Sequence, residues 1–217
     1  MELEEYKKQY APETDAVPGW DVIDVTLNAV YNGLEPMHWG TITKFMEGGP
    51  DPLDGVSAYP SSAGGVDHLH FCSYGFTALY YDEEALGEEH SGFGFELTFR
   101  LKSMLSPEKE PVWVVDLMQN IARYIFESGK WFEPYHCLPT NGPIYVDTDT
   151  DIVGVIFIAD PELPAQSSPH GQVEFLQMFG VTESELETVM SGAKSAEEFI
   201  AEHKKTNPLL VTDLERK

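Results

Sequence analysis

The sequence predicts an α+β domain: a mixed β-sheet flanked by helices. Three observations lead there. Residues 93–102 alternate apolar and polar five times in succession, the period-two pattern of a strand with one face on a core. Residues 111–128 carry an apolar stripe at helical spacing through Val115, Met118, Ala122 and Ile125. Strand-like runs outnumber helical ones and do not alternate with them regularly, which argues against a repeated βαβ fold.

Taken in chain order, residues 1–18 read as a polar arm, charged up to Tyr10 and then interrupted by two prolines. Residues 19–214 read as a single domain. Trp20, Ile23, Leu27, Val30 and Tyr31 recur at helical spacing before Gly33, which predicts a helix over 20–31. Residues 41–46 read as a short strand, and residues 48–55 (GGPDPLDG) as a rigid Gly/Pro loop. Further strands are expected over 56–59 and 68–74. In the 93–102 strand, Phe93, Phe95, Leu97, Phe99 and Leu101 share the core face, and Gly94, Glu96, Thr98, Arg100 and Lys102 lie on a wet or polar one. Pro111 opens the long helix and Gly129 ends it. The continuous apolar run 152–159 suits a central strand buried on both faces, and 173–179 reads as another strand. Thr182 and Glu185 match a capping box, with Val181 and Leu186 placed as a hydrophobic staple, so a helix starts there. A last helix over 195–204 and a last strand over 209–212 complete the expected elements.

Composition narrows the function. The chain has 217 residues, 42% hydrophobic and 12% aromatic, enough to bury a core without disulfides. Thirteen Lys and Arg face 37 Asp and Glu, a formal net charge of −24. Such a field repels nucleic-acid backbones and anionic membranes, attracts a basic protein, and equally serves solubility. Two cysteines make no disulfide framework, and Cys72 reads as a buried free thiol. The charged first ten residues lack a signal core, and no run approaches the roughly 18 apolar residues of a membrane span, so a cytoplasmic location is expected.

The usual catalytic motifs, G-x-S-x-G, H-E-x-x-H, a Walker loop and C-x-x-C, do not occur. Residues 147–151 resemble the start of a calcium loop, but Ile152 and Ile158 stand where Gly and Glu are needed, so a plain loop is expected. His68 and His70 share a strand face and would need a third ligand such as His38 or His136. They read as hydrogen-bonded histidines, with no metal and no cofactor. Cys137 beside His136 reads as no nucleophile pair, because neighbouring side chains diverge on an extended chain. Asp51, Asp54 and Glu96 are candidate acid–base carboxylates. The favoured reading is structural: Asp51 and Asp54 cap backbone N–H groups within their own loop, and Glu96 bonds a neighbouring strand. The alternative is an uncharacterised enzyme using Asp51, Asp54, His68, His70 and Glu96.

Several blocks resemble one family. Gly48, Gly49, Pro50, Asp51, Pro52, Leu53 and Asp54 form one signature. His68 and His70 stand in HLHFCSYG, followed by Leu79-Tyr80, and SGFGFELTFRL (91–101) contains Glu96 and Arg100. Leu117-Met118-Gln119 with Ala122-Arg123-Tyr124, Asp160-Pro161, and Phe175-Leu176-Gln177 with Gly180 continue in order. Over residues 18–214 the chain resembles the Suppressor of fused (SUFU) family, specifically its N-terminal domain. The resemblance implies that fold and a non-catalytic, protein-binding, regulatory role. In the eukaryotic members a Gli peptide is clamped between this domain and a second one. This chain looks like a stand-alone, bacterial-type member, some of which resemble immunity proteins encoded beside polymorphic toxins. That implies a protein partner, with a basic toxin domain as the specific expectation. The cleft's helix tyrosine corresponds to Tyr124, but two cleft carboxylates fall on His136 and Ala159, which argues for a ligand other than a Gli-type peptide.

The expected partner surface lies at and after the end of the long helix: Tyr124, Trp131, Phe132, Tyr135 and His136. Pro134 and Pro139 break any further helix there, and aromatics on loops serve as interface anchors. Trp131 and Phe132 have a second reading, tucked under the helix end.

Overall fold

The computed structural model describes residues 1–14, 16–103, 111–146 and 148–217. Eight strands form one sheet: β1 (Met37–Gly40), β2 (Gly55–Ser61), β3 (His68–Tyr74), β4 (His90–Lys102), β5 (Cys137–Pro139), β6 (Ile152–Ala159), β7 (Gln166–Ser168) and β8 (Gly171–Thr182). Their order is β1-β2-β3-β4-β8-β6-β5, with β7 beside β8. Every pairing is antiparallel except β4 with β8, which is parallel and makes the sheet mixed. Five helices complete the α+β architecture: α1 (Leu3–Tyr10), α2 (Pro18–Tyr31), α3 (Val112–Ser128), α4 (Glu183–Met190) and α5 (Ala196–His203).

Period-two alternation assigns the faces. Leu97, Phe99 and Leu101 of β4 join Phe71, Leu176, Met178, Val155 and Phe157 under α3, which contributes Val114, Met118, Ile121, Ala122 and Ile125. The opposite face has two apolar clusters. Ile23 and Leu27 of α2 pack on Tyr59, Cys72, Tyr74, Val173 and Phe175. Leu186 of α4 and Phe199 and Ile200 of α5 pack on Ile156, Ile158, Phe179 and Val181. Helix ends follow local chemistry. Pro18 sits at the first turn of α2, Asn32 closes it in the left-handed region, and Gly129 closes α3 the same way at φ 67°. The capping box of Thr182 and Glu185 opens α4, as expected, and Ser195 with Glu198 opens α5 by the same device.

Four expectations are corrected. The first strand is Met37–Gly40, not 41–46. The N–H groups of Glu47, Gly48 and Gly49 bond the carbonyls of Lys44 and Phe45, so local turns take up acceptors that a strand over 41–46 would need. A Cβ on Gly49 would stand 2.0 Å from the Thr43 carbonyl oxygen, which is why the turn closes on glycine. Second, residues 209–212 form only one parallel bridge, Leu101 to Thr212. Third, the polar arm contains a docked helix: Tyr6 of α1 is buried, its hydroxyl 2.6 Å from His170 Nε2 and its ring stacked 5.0 Å from Tyr81. Tyr6 and Tyr10 fall on one helical face, a spacing that the surrounding charges masked. Fourth, of the two readings of the polar face of β4, the dry one holds for Glu96, Thr98 and Arg100, which are fully buried, while Lys102 at its end stays partly exposed. Asp15 of the arm and Asp147 of the calcium-like segment lie outside the described residues.

Candidate functional site

The dry polar face of β4 lies between the two apolar clusters of its side of the sheet, and its Arg100 is paired. Arg100 Nη1 and Nη2 donate to Asp160 Oδ2 and Oδ1 at 2.8 and 3.0 Å, a bidentate fork. Arg100 also donates to Glu162 at 3.0 Å and to Gln177. Thr98 donates to Asp160 at 2.6 Å, and the N–H groups of Glu162 and Leu163 donate at 2.8 and 3.1 Å. Tyr31 of α2 lies 2.5 Å from His70 Nδ1, and His70 Nε2 lies 3.0 Å from Asp160. These partners define one tautomer. Nδ1 accepts from Tyr31 and from Arg100, and Nε2–H donates to the carboxylate. Burial raises the Asp160 pKa, but His70 and Arg100 outweigh it and hold the carboxyl well below the usual range. Burial and then Arg100 push the His70 pKa down, so it is neutral. Both side chains of the Arg100–Asp160 pair are fully enclosed, so the arrangement cross-links β3, β4, the end of β6 and α2.

Glu96 is a second buried hub. It accepts from Ser73 Oγ at 2.6 Å, from Thr77 Oγ1 at 2.7 Å, and from the N–H groups of Thr77 and Gly75 at 3.0 and 3.1 Å. Burial raises its pKa against these bonds. It thus ties β4 to β3 and to the turn after it, as the expected strand-to-strand bond requires.

Asp51 and Asp54 depart from expectation. Asp51 pairs with Arg123 of α3, and Asp54 accepts from the Tyr80 hydroxyl. Neither caps its own loop, because the loop's backbone is satisfied elsewhere. Gln119 of α3 accepts from Leu53 N–H at 3.1 Å and donates to its carbonyl at 2.9 Å, while Asp54 N–H reaches Tyr74 O at 2.8 Å. Within the same signature, Gly48 takes φ 90°, Gly49 and Pro52 are buried, and Pro50 is exposed. His68 Nδ1 bonds Val66 O at 2.7 Å, and His38 Nδ1 lies 2.9 Å from Ser57 Oγ. The five candidate catalytic groups therefore sit in separate hydrogen-bond sets. Among the described residues, no three His, Cys, Asp or Glu side chains are placed to hold a metal.

The aromatic surface takes shape just past α3. Gly129 turns the chain, and Tyr135 takes φ 73°. Tyr135 N–H donates to Phe157 O at 2.7 Å and Phe157 N–H to His136 O at 2.9 Å, so the segment runs directly into the edge strand β5. Tyr124, Trp131 and Tyr135 are 44, 58 and 43% exposed. Phe132 is half-buried, stacked on Phe157 at 4.2 Å, with Tyr124 6.2 Å away. His136 is exposed, 3.9 Å from Glu133. The two readings of the pair thus divide by residue: Phe132 tucks in and Trp131 stays out. Asp160, Glu162 and Gln177, partners of Arg100, and Tyr31, a partner of His70, are not among the sequence-predicted site residues. The available signal was Asp160 itself, a carboxylate closing an apolar strand in a chain whose Arg100 faces away from the core.

The fold and the site together define an acidic α+β domain with a dry Arg–Asp cross-link and an aromatic loop at a sheet edge. Residues 49–217 match the family described as Suppressor of fused protein (SUFU), and the chain belongs to that family. It is 36% identical over 194 residues to the Suppressor of fused homologs of Homo sapiens and Mus musculus. Those alignments cover 83% of this chain and 39% of each relative, so the chain spans well under half of their length. Among solved structures it resembles a chain of "the Sufu-Fu complex crystal structure", with a TM-score of 0.84 and 29% identity, covering 92% of this chain and 91% of that one. Drosophila Suppressor of Fused gives 0.82 and 29%, covering 93% of this chain and 51% of that one. A SUFU homolog from Neisseria gonorrhoeae shares the fold at a TM-score of 0.57 and 13% identity, over 92% of this chain and 95% of that one.

Proposed function

We propose that this chain is a non-catalytic, cytoplasmic protein-binding module, a single domain over residues 19–214, whose partner is a basic protein. The observation that carries the reading is the loop after α3. Tyr124 near the end of α3, and Trp131 and Tyr135 on the loop after it, are all exposed, in a chain of net charge −24. Phe132 and His136 complete the surface. The likeness to a chain from a Sufu–Fu complex supports a protein-binding role. The dispersal of Asp51, Asp54, His68, His70 and Glu96 into separate hydrogen-bond sets supports a non-catalytic one. The signature residues, Gly48 to Asp54 with His68, His70, Glu96 and Arg100, then serve the architecture. The specific partner in this reading is a basic toxin domain, which an acidic immunity protein would neutralise by covering its nucleic-acid-binding face.

Affinity purification from the organism that encodes the chain tests the reading, using wild type, Tyr124→Ala and Tyr135→Ala. The expected result is a basic protein retained by the wild type and lost from both variants and at raised salt. A partner held equally by all three, insensitive to salt, would overturn both the surface and the electrostatic argument.

A further inference from the structure

The register of the parallel β4–β8 pair breaks beside the aromatic loop. His90 pairs with Gln172, and the next pair is Phe95 with Glu174, so residues 91–94 of β4 stand against a single residue of β8. The extra residues bulge, with Gly92 at φ 57° and Gly94 at φ 85°, and Phe93 N–H bonds Phe76 O instead of β8. Between this bulge and the loop after α3 lies a groove of about 720 Å³. Its lining includes His90, Phe93 and Gly94 of β4, Trp131 and Glu133 of the loop, and Glu174 of β8. Leucine, proline and further phenylalanine side chains make the rest of the lining mainly apolar, and it contains no Lys or Arg.

Both carboxylates of the groove are exposed, and neither meets a Lys or Arg among the described residues. The Glu133 carboxylate has only His136 nearby, at 3.9 Å, and Glu174 makes no ion pair. The one imidazole of the lining, His90, stands 3.9 Å from Glu89, a further acidic residue. An apolar slot with an exposed indole and two uncompensated carboxylates complements one kind of side chain: a long apolar stem with a planar cationic head. The guanidinium stacks on the indole while its N–H groups reach the carboxylates.

We propose that this groove is an arginine pocket, taking an arginine side chain from an extended segment of the basic partner. The inference rests on the protein-binding reading above and specifies its chemistry. The probe is N-acetyl-arginine amide at millimolar concentration, titrated into ¹⁵N-labelled full-length protein, with the neutral isostere N-acetyl-citrulline amide as control. The chain has four tryptophans, so the Trp131 indole N–H is a single reporter among four. The expected result is that this signal and the amides of 92–94 and 131–133 shift with arginine and not with citrulline. Trp131→Ala should weaken the probe about fivefold, and the double variant Glu133→Gln/Glu174→Gln should do so by a similar or larger factor. Equal binding of citrulline, shifts scattered over the acidic surface, or an unaffected double variant would overturn the proposal. A basic partner captured through Tyr124 and Tyr135 while the groove ignores arginine would refute the pocket alone. Arginine binding in the groove with no basic partner captured would refute the protein-binding reading instead.

Discussion

Replacing Asp160 with Asn changes one atom and removes the charge on which the dry face of β4 depends. The carboxylate accepts from both Arg100 nitrogens at 2.8 and 3.0 Å, from Thr98 at 2.6 Å, from His70 at 3.0 Å and from two backbone N–H groups. An amide can place its oxygen toward only one side of this ring of donors. Its NH₂ would then face either the N–H groups of Glu162 and Leu163 or the donors of Thr98 and His70, and those groups would lose the acceptor they now have. Arg100 would keep Glu162, whose side chain is 23% exposed, as its sole anionic partner. Orphaning one member of a buried ion pair costs about 3–5 kcal/mol. For a domain of this size each kcal/mol moves Tm by about 2–4 °C, so Asp160→Asn should melt about 6–20 °C below wild type. The assay is thermal and urea unfolding followed by circular dichroism at pH 7. Adding Arg100→Met removes the orphaned charge and should recover part of the loss. A single variant within about 1 kcal/mol of wild type would show that the cross-link contributes little and that solvent reaches the cluster.

Three further outcomes are expected. The His70 pKa is lowered in the fold, so below the ordinary histidine value of about 6.5 the unfolded chain binds a proton that the folded chain refuses, and stability falls as pH falls. His70→Gln should flatten the pH-dependence of unfolding free energy between about pH 5 and 6.5. Loss of the depressed Asp160 carboxylate, by contrast, acts at pH values below about 4, as pH falls from the unfolded value through the folded one. Leu97, fully buried under α3, should cost about 2–5 kcal/mol on truncation to Ala; an unchanged Tm would mean that the inward face of β4 is wrongly assigned. Tyr6→Phe keeps the ring stack but deletes the hydroxyl that lies 2.6 Å from His170 and accepts from Asp82 N–H at 2.9 Å. It should cost about 1–3 kcal/mol and speed hydrogen exchange in α1 first; exchange unchanged there would mean that the tyrosine hydroxyl does not hold the helix down.

Elements with strong local signals were legible without coordinates. The five-fold alternation of β4, the stripe and glycine stop of α3 and the capping box of α4 are written within a few residues each, and the structure reproduces them. Features set by distant partners were not. Asp51 and Asp54 looked like loop caps because their loop is rich in Gly and Pro, yet Gln119, 66 residues from Leu53, satisfies the backbone and frees both carboxylates. The alternation of β4 left its second face wet or polar, because a strand's own sequence does not say what covers it. Only the packing of α2 and the end of β6 shows it to be closed, with Asp160 meeting Arg100 across 60 residues. Trp131 and Phe132 are adjacent and chemically alike, so their opposite fates depend on Phe157 lying beneath one of them and on nothing local.

If this acidic chain binds a basic protein at its exposed aromatic loop, both its charge and the Trp131 indole contribute to the affinity. The most direct measurement is the affinity of the captured partner for wild type and for Trp131→Ala across a range of salt concentrations. The affinity should fall steeply with salt and drop with the tryptophan removed, since rim charges are screened within about 10 Å at 0.1 M salt while an aromatic anchor is not. An affinity indifferent to both salt and Trp131 would contradict this reading.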